Sequence, residues 1–233
     1  MASGYEVAFL GVERCGTDIW SLRLERPDGY EFEAGQWFRL TLQTLEGPVA
    51  ETFSHCSAPM DPYLELTTRR SGSPFKQALE RLSPGDRVRI VGPGGRLRVA
   101  DDVGRVAFLV GGIGITPVRG ILRDAAARDR HFDDALLLYG NRDETCVPFI
   151  GELAKMDGIG VRVVVAYEHP PRGWTGETGF ITAEMVRRHM GADDGRPFVV
   201  AGPPAMVSAM ETVLDGVGVP AGRRMVERFT SVT

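Results

Sequence analysis

Up to about residue 100, apolar positions fall in short runs rich in β-branched and aromatic residues. These runs are Tyr5–Gly11, Ile19–Leu24, Trp37–Leu42, Glu51–Ser57, Tyr63–Arg69 and Arg87–Gly92. Turn signals separate them, among them Pro27-Asp28-Gly29 and Ala34-Gly35. Such a pattern predicts strands. One stretch, Ser73–Leu82, reads as a helix, with Ser73 suited to the N-cap and Pro74 to the first turn. Short strands with a single helix predict an antiparallel six-stranded β-barrel.

Near Ala100-Asp101-Asp102 the pattern changes. Strand-like runs at Arg105–Val110, Ala135–Tyr139, Val161–Ala166 and Pro197–Ala201 now alternate with helical stretches. The helices are expected at Pro117–Arg128, within Glu144–Met156, at Thr182–His189 and at Ala205–Asp215. Strand and helix in alternation predict a parallel α/β sheet with both faces covered. The expected organisation is two domains, residues 1–101 and 102–233.

Composition narrows the class. Of 233 residues, 43% are hydrophobic and 25% charged, the balance of a globular protein that can bury a core without disulfides or structural metal. The net charge of −4 argues against nucleic acid as a partner. Cys15, Cys56 and Cys146 are far apart and match no zinc, redox-pair or iron–sulfur spacing, so reduced thiols and no metal are expected. The start, Met1-Ala2-Ser3-Gly4-Tyr5-Glu6, lacks the basic and apolar blocks of a signal peptide. No apolar run approaches the roughly 20 residues that span a bilayer. A cytoplasmic location with no membrane span is expected.

Chemistry concentrates in two turns. Gly111-Gly112-Ile113-Gly114-Ile115-Thr116-Pro117 follows one predicted strand and opens a helix. Glycines allow close backbone approach, and a helix N-terminus offers unpaired N–H groups, a combination that suits a diphosphate. Ala201-Gly202-Pro203-Pro204-Ala205-Met206 does the same after a later strand. In open α/β sheets ligands sit beyond the carboxyl ends of the strands, where both turns fall.

With these motifs in order, the chain resembles the ferredoxin–NADP reductase superfamily over nearly its whole length. The second half carries the Gly111–Pro117 turn, then Tyr139-Gly140-Asn141-Arg142 and Trp174-Thr175-Gly176-Glu177-Thr178-Gly179. Gly202-Pro203-Pro204-Ala205-Met206 and Glu227-Arg228-Phe229 complete it. The first half carries Gly35-Gln36, Phe53-Ser54-His55-Cys56-Ser57, Ser71-Gly72-Ser73-Pro74-Phe75-Lys76, Pro84-Gly85-Asp86 and Gly92-Pro93-Gly94-Gly95. The resemblance implies a flavin-binding barrel and an NAD(P)-binding α/β domain. It implies FAD, with FMN as the alternative, and NADH or NADPH as electron donor.

Residue roles follow from the same resemblance. Phe53 is expected against the flavin ring and Ser54 at its reactive N5 edge, with His55 beside them. Thr67 and Thr68 are expected along the ring or its ribityl chain, and Gly72, Ser73, Pro74 and Phe75 at a flavin phosphate. Gly111, Gly112, Gly114, Thr116, Pro117, Gly202, Pro203 and Met206 would hold the nicotinamide nucleotide, with Glu227 near the nicotinamide. Ser54 and Glu227 are the catalytic candidates, and Phe229 supplies aromatic cover for the flavin.

Several positions depart from the pattern. The family's arginine before the aromatic-serine pair falls at position 51, which is Glu51, leaving Arg69, Arg70 and Lys76 as the cations placed to compensate. Ala201 stands where a cysteine or threonine is usual, and Ser231-Val232-Thr233 replaces the common Gly-Tyr ending. For the donor, Arg142 suits a 2′-phosphate and Glu168 suits free ribose hydroxyls; the balance leans to NADH. Asn141 lies in the same segment.

The implied activity is flavin-dependent NAD(P)H oxidation. The nicotinamide enters between the domains and gives hydride to flavin N5, and electrons pass on to a separate acceptor. That acceptor would be a ferredoxin, a flavodoxin-like protein, an oxygenase component or a small oxidant. The alternatives are a non-catalytic electron-transfer subunit that binds flavin and nucleotide, and a reductase of free flavin.

Overall fold

A computed structural model describes residues 3–191 and 193–229. Met1, Ala2 and the tail Ser231-Val232-Thr233 lie outside the described residues. The chain divides into two compact units. Of the described residues, the first holds those up to Arg98 together with Thr116–Asp124; the second holds Val99–Ile115 and those from 125 to 229.

The first unit is one antiparallel sheet of six strands: β1 (Ser3–Gly16), β2 (Ile19–Glu25), β3 (Trp37–Thr44), β4 (Gly47–Ser54), β5 (Tyr63–Arg69) and β6 (Arg87–Gly94). Their order is β4-β3-β6-β1-β2-β5. The long β1 changes partner midway, pairing with β6 over residues 3–8 and with β2 from Phe9 onward, which bends the sheet round on itself. Alternate side chains point inward, as the twofold strand period requires. Val7 and Phe9, Leu22 and Leu24, Phe38 and Leu40, Leu64 and Leu66, and Val88 and Ile90 share one core. The helix α1 (Pro74–Glu80) adds Phe75, Ala78 and Leu79 to it. Strands β4 and β5 form the sheet's two edges, so the barrel expected from the sequence is present but open between them.

The second unit is a six-stranded sheet with a parallel core. Its strands are β7 (Arg105–Gly111), β8 (Asp134–Asn141), β9 (Val161–Tyr167), β10 (Glu177–Thr178), β11 (Phe198–Gly202) and β12 (Arg224–Arg228). All neighbouring pairs run parallel, in the order β10-β9-β8-β7-β11-β12. Residues Val106–Val110 are fully buried, which is why this strand reads as a continuous apolar run rather than an alternation. The helices from here along the chain are α2 (Ile115–Ala127), whose middle belongs to the first unit, and α3 (Ile150–Leu153), α4 (Ala183–Met190) and α5 (Pro204–Gly216) of the second. Val186 of α4 and Val207, Met210 and Leu214 of α5 share a core with Ala107, Leu109, Leu136, Leu138, Phe198 and Val200. No helix among the described residues is long and apolar enough to cross a membrane.

Two expectations change. The helix expected within Glu144–Met156 is broken into a 3-10 turn at Glu144–Cys146, the single turn α3, and another 3-10 turn at Met156–Ile159. Pro148 has no N–H to give, and Phe149 adopts a left-handed φ of 64°, so a continuous helix cannot pass through them. The sequence also puts all of α2 in the second unit and the boundary after residue 101. Instead the break falls at Arg98/Val99, and Thr116–Asp124 of α2 clusters with the barrel.

Candidate functional site

In the second unit the strand order reverses between β7 and β11: β8 and β9 extend to one side of β7, β11 and β12 to the other. A crevice beyond the carboxyl ends of two such strands is the general ligand position of open α/β sheets. Both sequence-predicted turns lie there. Gly111 ends β7, a 3-10 turn covers Gly112–Gly114, and α2 begins at Ile115. Gly202 ends β11, and Pro203 caps α5.

The glycines differ in purpose. Gly112 has φ +51°, and a Cβ added there would meet nothing within 4 Å. The space on its Cα is thus open, and the Tyr139 hydroxyl donates to its carbonyl at 3.0 Å. Gly114 is packed hard: an added Cβ would lie 2.0 Å from the Ala201 carbonyl oxygen. Gly114 therefore presses the first turn onto the second. Met206 lies over Gly111, where an added Cβ would meet its Cε at 3.2 Å.

Glu227 follows in register, opposite Ala201 on the neighbouring β12, and the Phe229 amide donates to the Gly202 carbonyl at 2.9 Å. Gly111, Gly112, Gly114, Gly202, Pro203, Met206, Glu227 and Phe229 thus gather at one sheet edge. Thr116 and Pro117, buried at the start of α2, fall among the residues that cluster with the barrel.

Asn141 ends β8 and Arg142 follows it. Asn141 is 5% exposed, and its Oδ1 is buried with no hydrogen-bond partner, an acceptor that a ligand hydroxyl or amide can satisfy. Arg142 is exposed but committed: its Nε donates to Asp143 at 2.8 Å. Asp143 also accepts from the Thr145 amide and hydroxyl, at 3.0 and 2.6 Å. These bonds hold its carboxyl well below the usual range, the Thr145 bond contributing most. Glu168 is exposed beside them, its amide bonded to the Asn141 carbonyl at 3.0 Å. The sequence reading missed Asp143, whose adjacency to Arg142 was the available signal.

In the first unit the candidates flank the opening between β4 and β5. Among the described residues neither strand pairs with a further strand, so their outer edges keep backbone groups available to a flat polar ligand. Phe53 and Ser54 end β4; both side chains are buried, and the Phe53 ring lies 5.8 Å from that of Phe75. Thr68 is buried near the end of β5. Past β5, Gly72 is exposed with open space over it, Ser73 caps α1 by accepting from the Lys76 amide at 3.3 Å, and Pro74 opens the helix. Phe75 points into the core. A flat ring with a phosphate tail suits this arrangement of open edge, aromatic strand end and uncrowded glycine loop.

Four of the side chains considered above are held by partners within the protein. His55 does not reach an edge: it is wholly buried, stacked on Phe32 at 3.8 Å, with Nε2 3.2 Å from the Tyr30 hydroxyl. Burial pulls its pKa down to about 3, so it is a neutral core residue. Thr67 faces away from Thr68, sharing a hydrogen bond with Ser21 at 2.9 Å and donating to the Cys56 thiol at 3.4 Å. Lys76 and Arg70, expected to compensate for Glu51, are each held by an acid. Lys76 pairs with Glu51 itself, and Arg70 with both carboxylate oxygens of Glu80, at 2.5 and 3.1 Å.

The His55 finding has a pH consequence. A folded pKa near 3 lies below the roughly 6.5 of a free histidine, so between these values the unfolded chain binds the extra proton. Stability is expected to fall as pH drops from about 6.5 toward 3. Thermal melts at stepped pH test this: the slope should flatten in His55→Phe, and an unchanged slope contradicts it.

Behind Thr67 lies a polar cluster that the sequence reading did not find. Arg119 of α2 donates to Glu65 and to the Cys56 carbonyl, both at 2.9 Å. Glu65 accepts from Ser21 at 2.5 Å. The side chains of Arg119 and Glu65 are 5% and 2% exposed. The only sequence signal was an arginine on an apolar helix face, next to Val118 and near Ile121 and Leu122. Burial also pushes the Cys56 thiol up to about 11 and that of Cys15 to about 12, so neither is poised as a thiolate.

Comparison with known proteins identifies the family. Residues 108–212 match the family model for the oxidoreductase NAD-binding domain. Ferredoxin–NADP reductase B of Sorangium cellulosum is 33% identical, the alignment covering 98% of each chain. The structure of the Amycolatopsis cytochrome P450 reductase GcoB superposes with a TM-score of 0.86 at 26% identity, over 100% of this chain and 72% of that one. A Neisseria gonorrhoeae ferredoxin NADP+ reductase, solved with bound FAD and NADP, gives a TM-score of 0.85 at 22% identity, over 99% and 100%. The family match and these relatives together define an NAD(P)H-dependent flavin oxidoreductase, with FAD and NAD(P)H as its cofactors. The chain belongs to the ferredoxin–NADP reductase superfamily.

Proposed function

We propose that this protein oxidises NADH in preference to NADPH and passes the electrons through bound FAD to a separate protein acceptor. The observation that carries the nucleotide half is the convergence at the β7/β11 reversal. There Gly114 presses against Ala201, and Ala201 stands in register with Glu227. The uncrowded Gly112 turn and the start of α2 receive the diphosphate. The Asn141 amide oxygen and the Glu168 carboxylate take hydrogen bonds from ribose or amide groups. Glu227 orients the nicotinamide carboxamide from β12. The small Ala201 leaves room for the ring.

Bound FAD supplies the hydride acceptor and the onward release of electrons. Toward it, Ser54 and the edge of β4 orient the ring's polar rim, Thr68 lines the β5 side, and the Gly72-Ser73-Pro74 loop receives the phosphate. Acceptor candidates are a ferredoxin, named for the Sorangium relative, and an oxygenase component, the Amycolatopsis relative being named as a cytochrome P450 reductase. A flavodoxin-like protein or a small oxidant is the remaining class. Reduction of each by purified protein under NADH separates them; an enzyme that reduces only dioxygen or dyes overturns the protein-acceptor proposal.

Donor preference rests on the Arg142 segment. Asp143 already holds the Arg142 guanidinium just past β8, and Glu168 presents a negative charge beside it. A 2′-phosphate there meets repulsion without a ready partner. Changing Glu168→Arg is expected to raise kcat/KM for NADPH about tenfold or more while lowering it for NADH. Steady-state kinetics with both donors check this, and an unaltered ratio contradicts it.

A reductase of free flavin is the second reading. The pairing of Lys76 and Arg70 with acids favours it, because it leaves the flavin phosphate fewer ready cations.

A further inference from the structure

The position after β5 where a flavin phosphate is expected carries a lysine already in use. Lys76, in the first turn of α1, forms an ion pair with Glu51 of β4. Both side chains are 11% exposed. The ammonium also sits 4.7 Å from the centre of the Phe53 ring and 4.9 Å from that of Phe75. Burial lowers the affinity of this ammonium for its proton, and the Glu51 carboxylate opposes that shift. An enclosed pair of this kind is well satisfied as it stands. A new anion gains little from a cation whose charge is already balanced, and must share or displace the carboxylate to use it.

We propose that Glu51 competes with the phosphate of a flavin mononucleotide unit for Lys76, so that this protein holds its flavin as an exchangeable ligand. The inference rests on the flavin reading above and deepens it. Lys76 is the specific cation for the phosphate, and Glu51 is the residue that weakens it. The chemistry is shared by FMN and by the corresponding half of FAD, and is missing from riboflavin. Arg70 cannot take over without releasing Glu80.

The test is the dissociation constant of riboflavin, FMN and FAD, read from quenching of flavin fluorescence, in wild type, Glu51→Gln, Lys76→Met, Lys76→Arg and the double variant Glu51→Gln/Lys76→Met. Glu51→Gln should tighten FMN and FAD about tenfold, equivalent to about 1.4 kcal/mol, and leave riboflavin unchanged. Lys76→Met should weaken FMN and FAD by a similar factor, Lys76→Arg should retain them, and the double variant should match Lys76→Met. Glu51→Gln binding FMN and FAD no tighter than wild type overturns the proposal, as does an equal change for riboflavin. Should Glu51→Gln not fold, wild type decides: FMN held more than about 100-fold tighter than riboflavin means that Lys76 is fully available, and overturns the proposal. Failure of every form to bind any flavin defeats the oxidoreductase reading itself; a flavin-binding wild type with an unresponsive Glu51→Gln defeats only this inference.

Discussion

Replacing Gly114 by alanine is expected to cut NAD(P)H-driven flavin reduction about 100-fold, the scale associated with displacing a bound group by about an ångström. The new methyl carbon would stand 2.0 Å from the Ala201 carbonyl oxygen and 2.9 Å from the Gly202 Cα. Both obstacles are backbone, so no rotamer change relieves the clash; one turn must move away from the other. Ala201 is in register with Glu227, so this movement disturbs the expected diphosphate cradle and nicotinamide site together. Stopped-flow reduction at saturating NADH measures it. The control is Gly112→Asn: its φ of +51° tolerates asparagine better than most residues, and the space around it is open. Gly112→Asn should fold normally, with its loss confined to nucleotide affinity. Equal behaviour of Gly114→Ala and wild type would show that the two turns do not form one site.

The second large effect is on stability. Arg119→Met should lower the melting temperature by about 10 °C, because it strands the Glu65 carboxylate in the interior. Breaking one side of a buried ion pair costs about 3–5 kcal/mol. For a chain of this size each kcal/mol moves the midpoint by about 2–4 °C. Glu65 keeps its bond from Ser21, which cannot offset a full charge at 2% exposure. The double variant Arg119→Met/Glu65→Met should recover much of the loss, since two apolar side chains replace the pair. Calorimetry of the three variants tests this. A shift under about 2 °C for Arg119→Met would mean that the pair is not load-sharing in the fold.

Much of the architecture was legible because burial leaves a simple imprint on each strand type. Strands β7, β8 and β11 are covered on both faces and read as unbroken apolar runs. Barrel strands such as β3 and β6 alternate, because only one face meets the core. The two glycine turns were legible for a related reason: backbone crowding at Gly114 and a positive φ at Gly112 each exclude other residues. The broken helix around Pro148 and Phe149 was less legible, since Glu144–Met156 has helix-like composition on either side of the interruption.

Pairings between distant positions were not legible. Arg119 and Glu65 are 54 residues apart, and Lys76 and Glu51 are 25 apart. Each charge alone looks like a solvated side chain, and only the fold brings it to its partner. The same holds for His55. Its place in the Phe53–Ser57 motif allowed either contact with the flavin edge or a neutral structural role; the backbone turns its ring into the aromatic core with Phe32 and Phe38. Glu51 looked like a missing arginine in the sequence; in the fold it is one half of a pair.

The most direct test of the account is an anaerobic titration of the purified protein, reconstituted with FAD, using NADH and then NADPH, followed by the flavin absorbance. The account predicts a yellow protein that bleaches fully with NADH, and more slowly with NADPH. A protein that takes up no FAD, or whose bound FAD stays oxidised under excess of both donors, would contradict it.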